Sequence, residues 1–244
     1  MSGGERRWRA RLLSVATAVQ TGTAATLGSV LVTHLAAPVV AALVGPEQLD
    51  LANQTMLLGR VYYQNALLEP VVVWGALTAH LVASAVRRAL LPRGGSWDVR
   101  RWSWAQWQSA AGYVLVPALL THVWVNRVAP SASAPPVAGL SPSELDMSYV
   151  AYGFHVPRYV ARSVALYAVL IAATALHWIG GAPKMSQRIT RKRVRPHTAL
   201  AAASVLAGVL ALGTAAVARS GVAGLAPRML HRFDAAYAGV WLYR

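Results

Sequence analysis

Long apolar runs separated by short polar or basic stretches dominate the pattern of this 244-residue chain. A run of about 20 apolar residues spans the hydrocarbon core of a bilayer as a helix. Five such runs predict membrane helices over about 20–44, 65–86, 104–126, 159–179 and 198–217. The predicted fold class is therefore all-α, a polytopic membrane protein built as an antiparallel bundle of about five transmembrane helices.

The stretches between these runs suggest where the chain divides. We expect a basic N-terminal head over 1–19, a five-helix transmembrane domain over 20–218, and a basic amphipathic tail over 219–244 that lies along the interface. Gly180, Gly181 and Pro183 follow the fourth apolar run, and we expect them to stop that helix. The sequence SPSELD after Leu140 predicts a short surface helix in the long polar loop.

Composition supports a membrane protein, since 56% of the residues are hydrophobic and the mean hydropathy is +0.42. The net charge of +15 arises from clusters: four Arg in the head, five Lys or Arg in 87–101 and six in 184–195. The alternate connections 45–59 and 128–157 contain none. This alternation is how orientation signals are distributed, so it favours a bilayer over nucleic acid as the partner and predicts one shared side for the three basic segments.

The chain has no cysteine. That excludes disulfides, thiolate-ligated iron–sulfur clusters, cysteine-based zinc sites and covalently attached c-type haem.

Four histidines, one in each of the first four predicted helices, are the main candidate site residues: His34, His80, His122 and His177. His34 and His122 each lie fourteen residues after a glutamine, Gln20 and Gln108, about 21 Å along a helix. His80 and His177 each lie seven residues before a basic residue, Arg87 and Lys184. The spacing predicts two pairs of histidines, separated by roughly 10 Å in depth.

Intramembrane ionisable residues are costly and usually functional, and imidazoles facing each other across a bundle suit the axial positions of haem b. The pairs His34/His122 and His80/His177 are thus candidate ligands for one or two haems. Two histidines alone make a poor zinc site. The alternative for each histidine is a hydrogen bond to a neighbouring helix. Gln20 and Gln108 are candidates either for binding a quinone carbonyl or for hydrogen bonding between helices.

Several segments resemble known membrane proteins. They are YQNALLEPVVVWGALTAHLVASAVRR (63–88), SWAQWQSAAGYVLVPALLTHVWVNRVAP (103–130), LSPSELDMSYVAYGF (140–154), ALHWIGGAPK (175–184) and FDAAYAGVW (233–241). The four-histidine bundle looks like the cytochrome b membrane anchor of succinate dehydrogenase and fumarate reductase, whose dihaem members imply the two pairings above. In detail the segments are more similar to a fungal family of mitochondrial outer-membrane adapter proteins with a cytochrome-b-like transmembrane domain.

The second resemblance implies a non-enzymatic, multi-pass adapter of the mitochondrial outer membrane, acting in lipid homeostasis at organelle contacts. Its implied partners are the lipid bilayer and a bridge-like lipid-transfer protein, which family members recruit through a proline-containing N-terminal motif. This chain departs there, because its first proline is Pro38. The alternative function is a haem b-binding, electron-transfer and quinone anchor subunit of a dehydrogenase. A third is a structural membrane protein with vestigial histidines.

Overall fold

The computed structural model describes residues 2–91, 98–191 and 195–244, and all regular structure in these ranges is helical, which confirms the predicted fold class. Of the basic residues counted above, Arg93, Lys192 and Arg193 lie outside the described residues. The α-helices are α1 Gly3–Val44, α2 Asp50–Tyr63, α3 Ala76–Leu90, α4 Trp104–Val123, α5 Met147–His155, α6 Pro157–Thr174, α7 Gly180–Thr190, α8 Pro196–Arg219 and α9 Pro227–Ala238. Wider π-helical turns precede α3 (Glu69–Gly75), follow α4 (Trp124–Val128) and join α6 to α7 (Ala175–Ile179).

Within the described residues, four helices are long and apolar enough to cross a bilayer: Gly3–Val44, Glu69–Leu90, Pro157–Arg188 and His197–Arg219. The fifth predicted crossing forms as α4 and its π-helical turn but is not among the four. Its first turns contain Gln106, Gln108 and Ser109, and these polar residues dilute the apolar run that follows. The other four predicted helices coincide with candidate spans.

The connection after Gly45 contains a helix, since α2 begins at Asp50 and continues to Tyr63. One local prediction is wrong. Gly180, Gly181 and Pro183 do not stop the fourth helix, which continues through α7. Gly180 keeps a right-handed helical conformation, and a β-carbon there would lie 2.9 Å from the Gln108 side chain. The glycine thus permits close packing of α4 rather than a left-handed cap.

The chain forms two compact units, and unit 1 comprises residues 1–35 and 58–102. It contains the N-terminal part of α1, the end of α2 and the whole of α3. Gln20 and Thr23 of α1 hydrogen-bond side chains of α3, where increasing numbers on one helix meet decreasing numbers on the other. Unit 1 is therefore built on an antiparallel helical hairpin.

Unit 2 comprises residues 36–57 and 103–244, and its core is a second antiparallel hairpin formed by α4 with α6 and α7. The last part of α1 packs on α8, where a β-carbon at Gly213 would collide with the carbonyl of Pro38. Buried alanines at 37 and 41 extend this close approach. Small residues allow backbones to pack tightly where the surrounding solvent is as apolar as the side chains.

An aromatic cluster joins α5, α6 and the C-terminal tail at one end of unit 2. The rings of Tyr149, Tyr159 and Tyr237 are at most 1% exposed, and Tyr159 stacks on Tyr237 with ring centroids 5.3 Å apart. The hydroxyl of Tyr149 donates to the carbonyl of Val125 at 2.8 Å, and that of Tyr237 donates to the carbonyl of Tyr149 at 3.1 Å. Buried tyrosines normally find such partners, so the cluster is apolar in packing and satisfied in hydrogen bonding.

The tail was expected to lie along the interface, but α9 buries Phe233, Ala236 and Tyr237 in this cluster. The helix α9 is amphipathic, as the sequence pattern indicated, but its apolar face packs against α5 and α6 instead of lying in lipid. The structure also places the tail at the end of unit 2 that contains the 130–146 loop.

Two ion pairs hold the tail at this end of unit 2: Arg232 of α9 pairs with Glu144 of the loop, and Asp234 of α9 pairs with Arg158 of α6. Arg232 donates to Glu144 at 2.5 Å and to the carbonyl of Val137 at 2.8 Å. A hydrogen bond from the backbone of Ser141, followed by the one from Arg232, lowers the pKa of Glu144. Burial alone would raise the pKa of Asp234, but hydrogen bonds from Arg158, Tyr152 and Tyr159 outweigh it and lower that pKa.

The antiparallel core of unit 2 predicts that Ser131 and Ser186 lie on opposite sides of the membrane, because they follow opposite ends of the hairpin. In this cysteine-free chain, Ser131→Cys and Ser186→Cys provide single labelling sites. An impermeant maleimide added to the outside of intact organelles should label only one variant until detergent is added. Equal labelling of both before detergent contradicts the arrangement.

Candidate functional site

In unit 1, the side chain of Gln20 connects the two helices at the level where α3 becomes basic. Its amide nitrogen donates to the hydroxyl of Ser84 at 2.7 Å, and its carbonyl oxygen accepts from the guanidinium of Arg87. Closer to the N-terminus, Arg9 donates to the carbonyl of Leu90 at 3.1 Å, at the end of α3. These bonds satisfy polar groups between helices that lipid could not solvate.

His80 lies one turn deeper in unit 1, beside Thr23. The Thr23 hydroxyl donates its one proton to the carbonyl of Val19 at 2.8 Å. It therefore accepts in its 3.1 Å contact with the Nδ1 atom of His80. This fixes the tautomer of His80 that is protonated at Nδ1.

His34 lies farther along α1, against the end of α2. Its Nδ1 atom is 3.0 Å from the hydroxyl of Tyr63, and the two rings meet edge to face with centroids 5.9 Å apart. The tyrosine, which is only 7% exposed, fixes the orientation of the imidazole.

In unit 2, Gln108 has the role that Gln20 has in unit 1. Its side-chain oxygen accepts from the ammonium group of Lys184 at 2.7 Å. The backbone carbonyl of Gln108 accepts from the Nδ1 atom of His177 at 3.0 Å, which makes His177 protonated at that nitrogen. The imidazole lies directly on Gly112, where a β-carbon would be 2.7 Å from the ring.

His122 differs from the other three histidines in its partner. The side-chain amide of Asn126 donates to the carbonyl of His122 at 2.9 Å and lies 3.3 Å from its Nδ1 atom. Asn126 thus contacts both the backbone and the ring of His122 from the following turn of the same helix. The ring also meets Tyr167 edge to face, with centroids 5.8 Å apart.

The two units thus repeat one arrangement: a glutamine on one helix, a cation seven residues after a histidine on the neighbouring helix, and a bond between glutamine and cation. The histidine is held one turn deeper than the glutamine in both. The sequence spacing also predicted that the histidines lie at two depths, but it gave a smaller distance between them. Eleven residues separate Thr23 from His34 and ten separate Gly112 from His122, so the two levels are about 15 Å apart rather than 10 Å.

Two of the histidines have the tautomer that haem needs. An axial histidine binds iron through a deprotonated Nε2 while Nδ1–H donates to an outer partner. His80 and His177 have that tautomer, each within its own unit. The pairings of His34 with His122 and of His80 with His177 join the two units and stay predictions.

Metal binding by protein side chains alone has no support among residues 2–91, 98–191 and 195–244, where no group of three His, Asp or Glu residues could hold an ion. Sequence reasoning also missed the partners of three of the histidines, Thr23, Tyr63, Asn126 and Tyr167, and the partner of Gln20, Ser84. The available signal was that each is a polar side chain inside or beside an apolar run, where it needs a partner on a neighbouring helix.

These features define a polytopic α-helical membrane protein with polar side chains bonded inside helical hairpins. Residues 117–224 match the family model described as MDM10-complementing protein 1, transmembrane domain. Over these residues, which are less than half of the chain, the match agrees with the family to which the sequence segments pointed and supports a mitochondrial membrane protein. The likeness to the succinate dehydrogenase anchor has no such support in detail. No curated protein matches the chain, and no solved structure does.

Close packing of His177 on α4 gives a test of the site. Gly112→Ala should push the imidazole away and lower the stability of the protein by about 1–3 kcal/mol, because the added methyl group overpacks a filled space. The matched control is Gly208→Ala on α8, where a β-carbon meets nothing within 4 Å. The thermal midpoint in detergent should fall for the first variant and stay or rise slightly for the second. An unchanged midpoint for Gly112→Ala contradicts the packing.

Proposed function

We propose that this protein is a non-enzymatic adapter of the mitochondrial outer membrane that acts in lipid homeostasis at organelle contacts. The observation that carries the proposal is the match of residues 117–224 to the adapter family's transmembrane domain. In this function the helices fix the chain in the bilayer, and the segments outside it bind the partners. The bilayer and a bridge-like lipid-transfer protein are the proposed partners.

The local geometry of the histidines supports a role in packing. Each of the four imidazoles has its Nδ1 atom within 3.3 Å of a polar atom in its own unit. Such bonds hold helices together in lipid, where an unsatisfied polar group is expensive. An adapter with this structure needs the histidines for its fold and needs no reaction at them.

The exposed ends support partner binding. Arg188 on α7 is exposed and is the last residue of the candidate span that begins at Pro157, at the basic end of that helix. At the other end, the 130–146 loop and α9 form a folded surface around the aromatic cluster. A membrane protein with ordered or charged surfaces beyond its spans can present them to soluble proteins or to a second membrane.

Replacing the histidines separates the adapter from a haem-dependent protein. With His34, His80, His122 and His177 changed to Gln, which keeps hydrogen-bonding capacity, the inserted protein should still restore mitochondrial lipid composition and morphology in cells lacking the native copy. Exchange of Arg188, Arg191 and Arg195 for Gln should impair rescue, with Lys184 retained because it bonds Gln108. Both variants must first accumulate at wild-type levels in the membrane. Complete loss of rescue in the histidine variant alone contradicts the proposal.

The second candidate is a haem b-binding electron-transfer or quinone anchor of a dehydrogenase. The specific observation in its favour is that His80 and His177 are both protonated at Nδ1, the tautomer of an axial ligand. Bound haem would supply one-electron transfer. The chain's own contribution would be the fixed orientation of the two rings by Thr23 and by the backbone of Gln108.

An absorption spectrum tests this candidate. If haem b is bound at the first level, protein purified after expression with ample haem should show a reduced α-band of b type. His177→Ala should remove the band, whereas His122→Ala should keep it, because His122 belongs to the other predicted pair. A colourless wild-type protein excludes the candidate, and loss of the band in His122→Ala contradicts the predicted pairing.

A further inference from the structure

The N-terminal part of α1 has an apolar stripe that the described part of the chain leaves exposed. Trp8, Leu12, Val15 and Val19 are 49%, 45%, 61% and 39% exposed. Their spacing of four, three and four residues is that of a coiled-coil seam, and on a helix they fall within about 60° of one another. The stripe lies wholly in unit 1.

A second stripe, displaced by one residue, shows how the same helix binds a neighbour. Arg9, Leu13, Ala16 and Gln20 are half-buried or buried, and two of them bond α3 directly. The occupied and unoccupied stripes lie side by side along the same turns. The part of α1 before Gln20 thus packs a helix on one face and leaves an adjacent face of similar length open.

The position of this segment relative to the bilayer makes lipid a poor cover for its outer half. α1 has 42 residues and is about 63 Å long, twice the roughly 30 Å of the hydrocarbon core. Gln20 bonds Arg87, at the basic end of α3 where the span terminates. Trp8 and Leu12 therefore project beyond the core on the basic side, and the unbroken helix prevents them from lying flat on the membrane.

We propose that this stripe, Trp8, Leu12, Val15 and Val19, is the docking site for an amphipathic helix of a partner protein with acidic residues beside its apolar seam. The stripe is one residue wide per turn, which suits a partner helix better than the broad apolar face by which helices lie in lipid. Arg7 and Arg11 border the stripe and are exposed. They would face the residues that flank a partner's seam, the positions that set partner choice in coiled coils.

Charge argues against a second copy of the chain as the occupant. The first twelve residues contain four Arg and one Glu, so two copies would bring like charges together along the seam. An acidic partner gains the opposite interaction. This inference rests on the adapter proposal and deepens it, because it gives the chemistry of one partner and places the contact on α1.

A peptide-binding experiment tests the site on the full chain in nanodiscs of neutral lipid. The probe is a fluorescent helical peptide of about three heptads, with Leu in its seam and Glu at the flanking positions, and the comparison peptide has Lys there. The Glu peptide should bind and the Lys peptide should not, as measured by fluorescence anisotropy. The double variant Trp8→Gln, Leu12→Gln should weaken binding about tenfold or more, whereas Ala10→Gln, exposed on another face, should leave it unchanged.

Three results would overturn the proposal. The first is equal binding, or no binding, of the two peptides. The second is equal binding of the Glu peptide by the double variant and by the Ala10 control. The third is displacement of the Glu peptide from the protein by vesicles rich in anionic lipid. Rapid disulfide-linked dimerisation of a Leu12→Cys variant would also overturn it, in favour of a second copy. None of these measurements uses the lipid phenotype, so failure here is distinguishable from failure of the adapter function in cells.

Discussion

A bilayer offers no hydrogen-bond partner to a polar side chain, and most of this structure follows from that constraint. Each helical hairpin contains a glutamine, a cation and a histidine, and each of these groups is bonded within its own unit. Arg87 donates to Gln20 on the neighbouring α1, and Lys184 donates to Gln108 on the neighbouring α4. Each cation is therefore oriented by a glutamine of the other helix in its hairpin. Small residues form the closest contact between helices, where Gly213 of α8 approaches the carbonyl of Pro38 on α1. Polar bonds fix the register of the helices, and small residues fix their distance.

The parts of the fold that depend on hydropathy and charge could be predicted from the sequence. Apolar runs of sufficient length located four spans, because burial in lipid depends on composition over many residues rather than on one contact. The errors arise where a local signal has two physical uses. Gly180 can end a helix or allow a close approach, and only the position of Gln108 decides between them. The amphipathic pattern of α9 suits an interface or an aromatic core equally, and the packing partners Tyr149 and Tyr159 are far from it in sequence.

The candidate site was predictable to the same extent. The repeated spacing identified the histidines and their distances from Gln20, Gln108, Arg87 and Lys184, since the rise per residue along a helix is nearly constant. The hydrogen-bond partners could not be predicted, because each depends on one atom of a neighbour. The Nδ1 atom of His177 donates to the backbone carbonyl of Gln108, a group that every residue has and that no sequence pattern marks.

The family match and the open stripe on α1 fall on different parts of the chain, and these two parts are constrained in different ways. Residues 117–224 lie within unit 2, where polar bonds, small-residue packing and the aromatic cluster leave little freedom for substitution. The segment before Gln20 lies in unit 1, and its exposed side has no packing constraint of that kind. Trp8 and Leu12 are exposed and lie beyond the span, so they contribute little to the packing of this chain. The choice of large apolar residues at these positions therefore needs a reason other than the fold. If the proposed docking at this stripe holds, a packed bundle joined to an exposed helix allows the partner to change without a change in the fold.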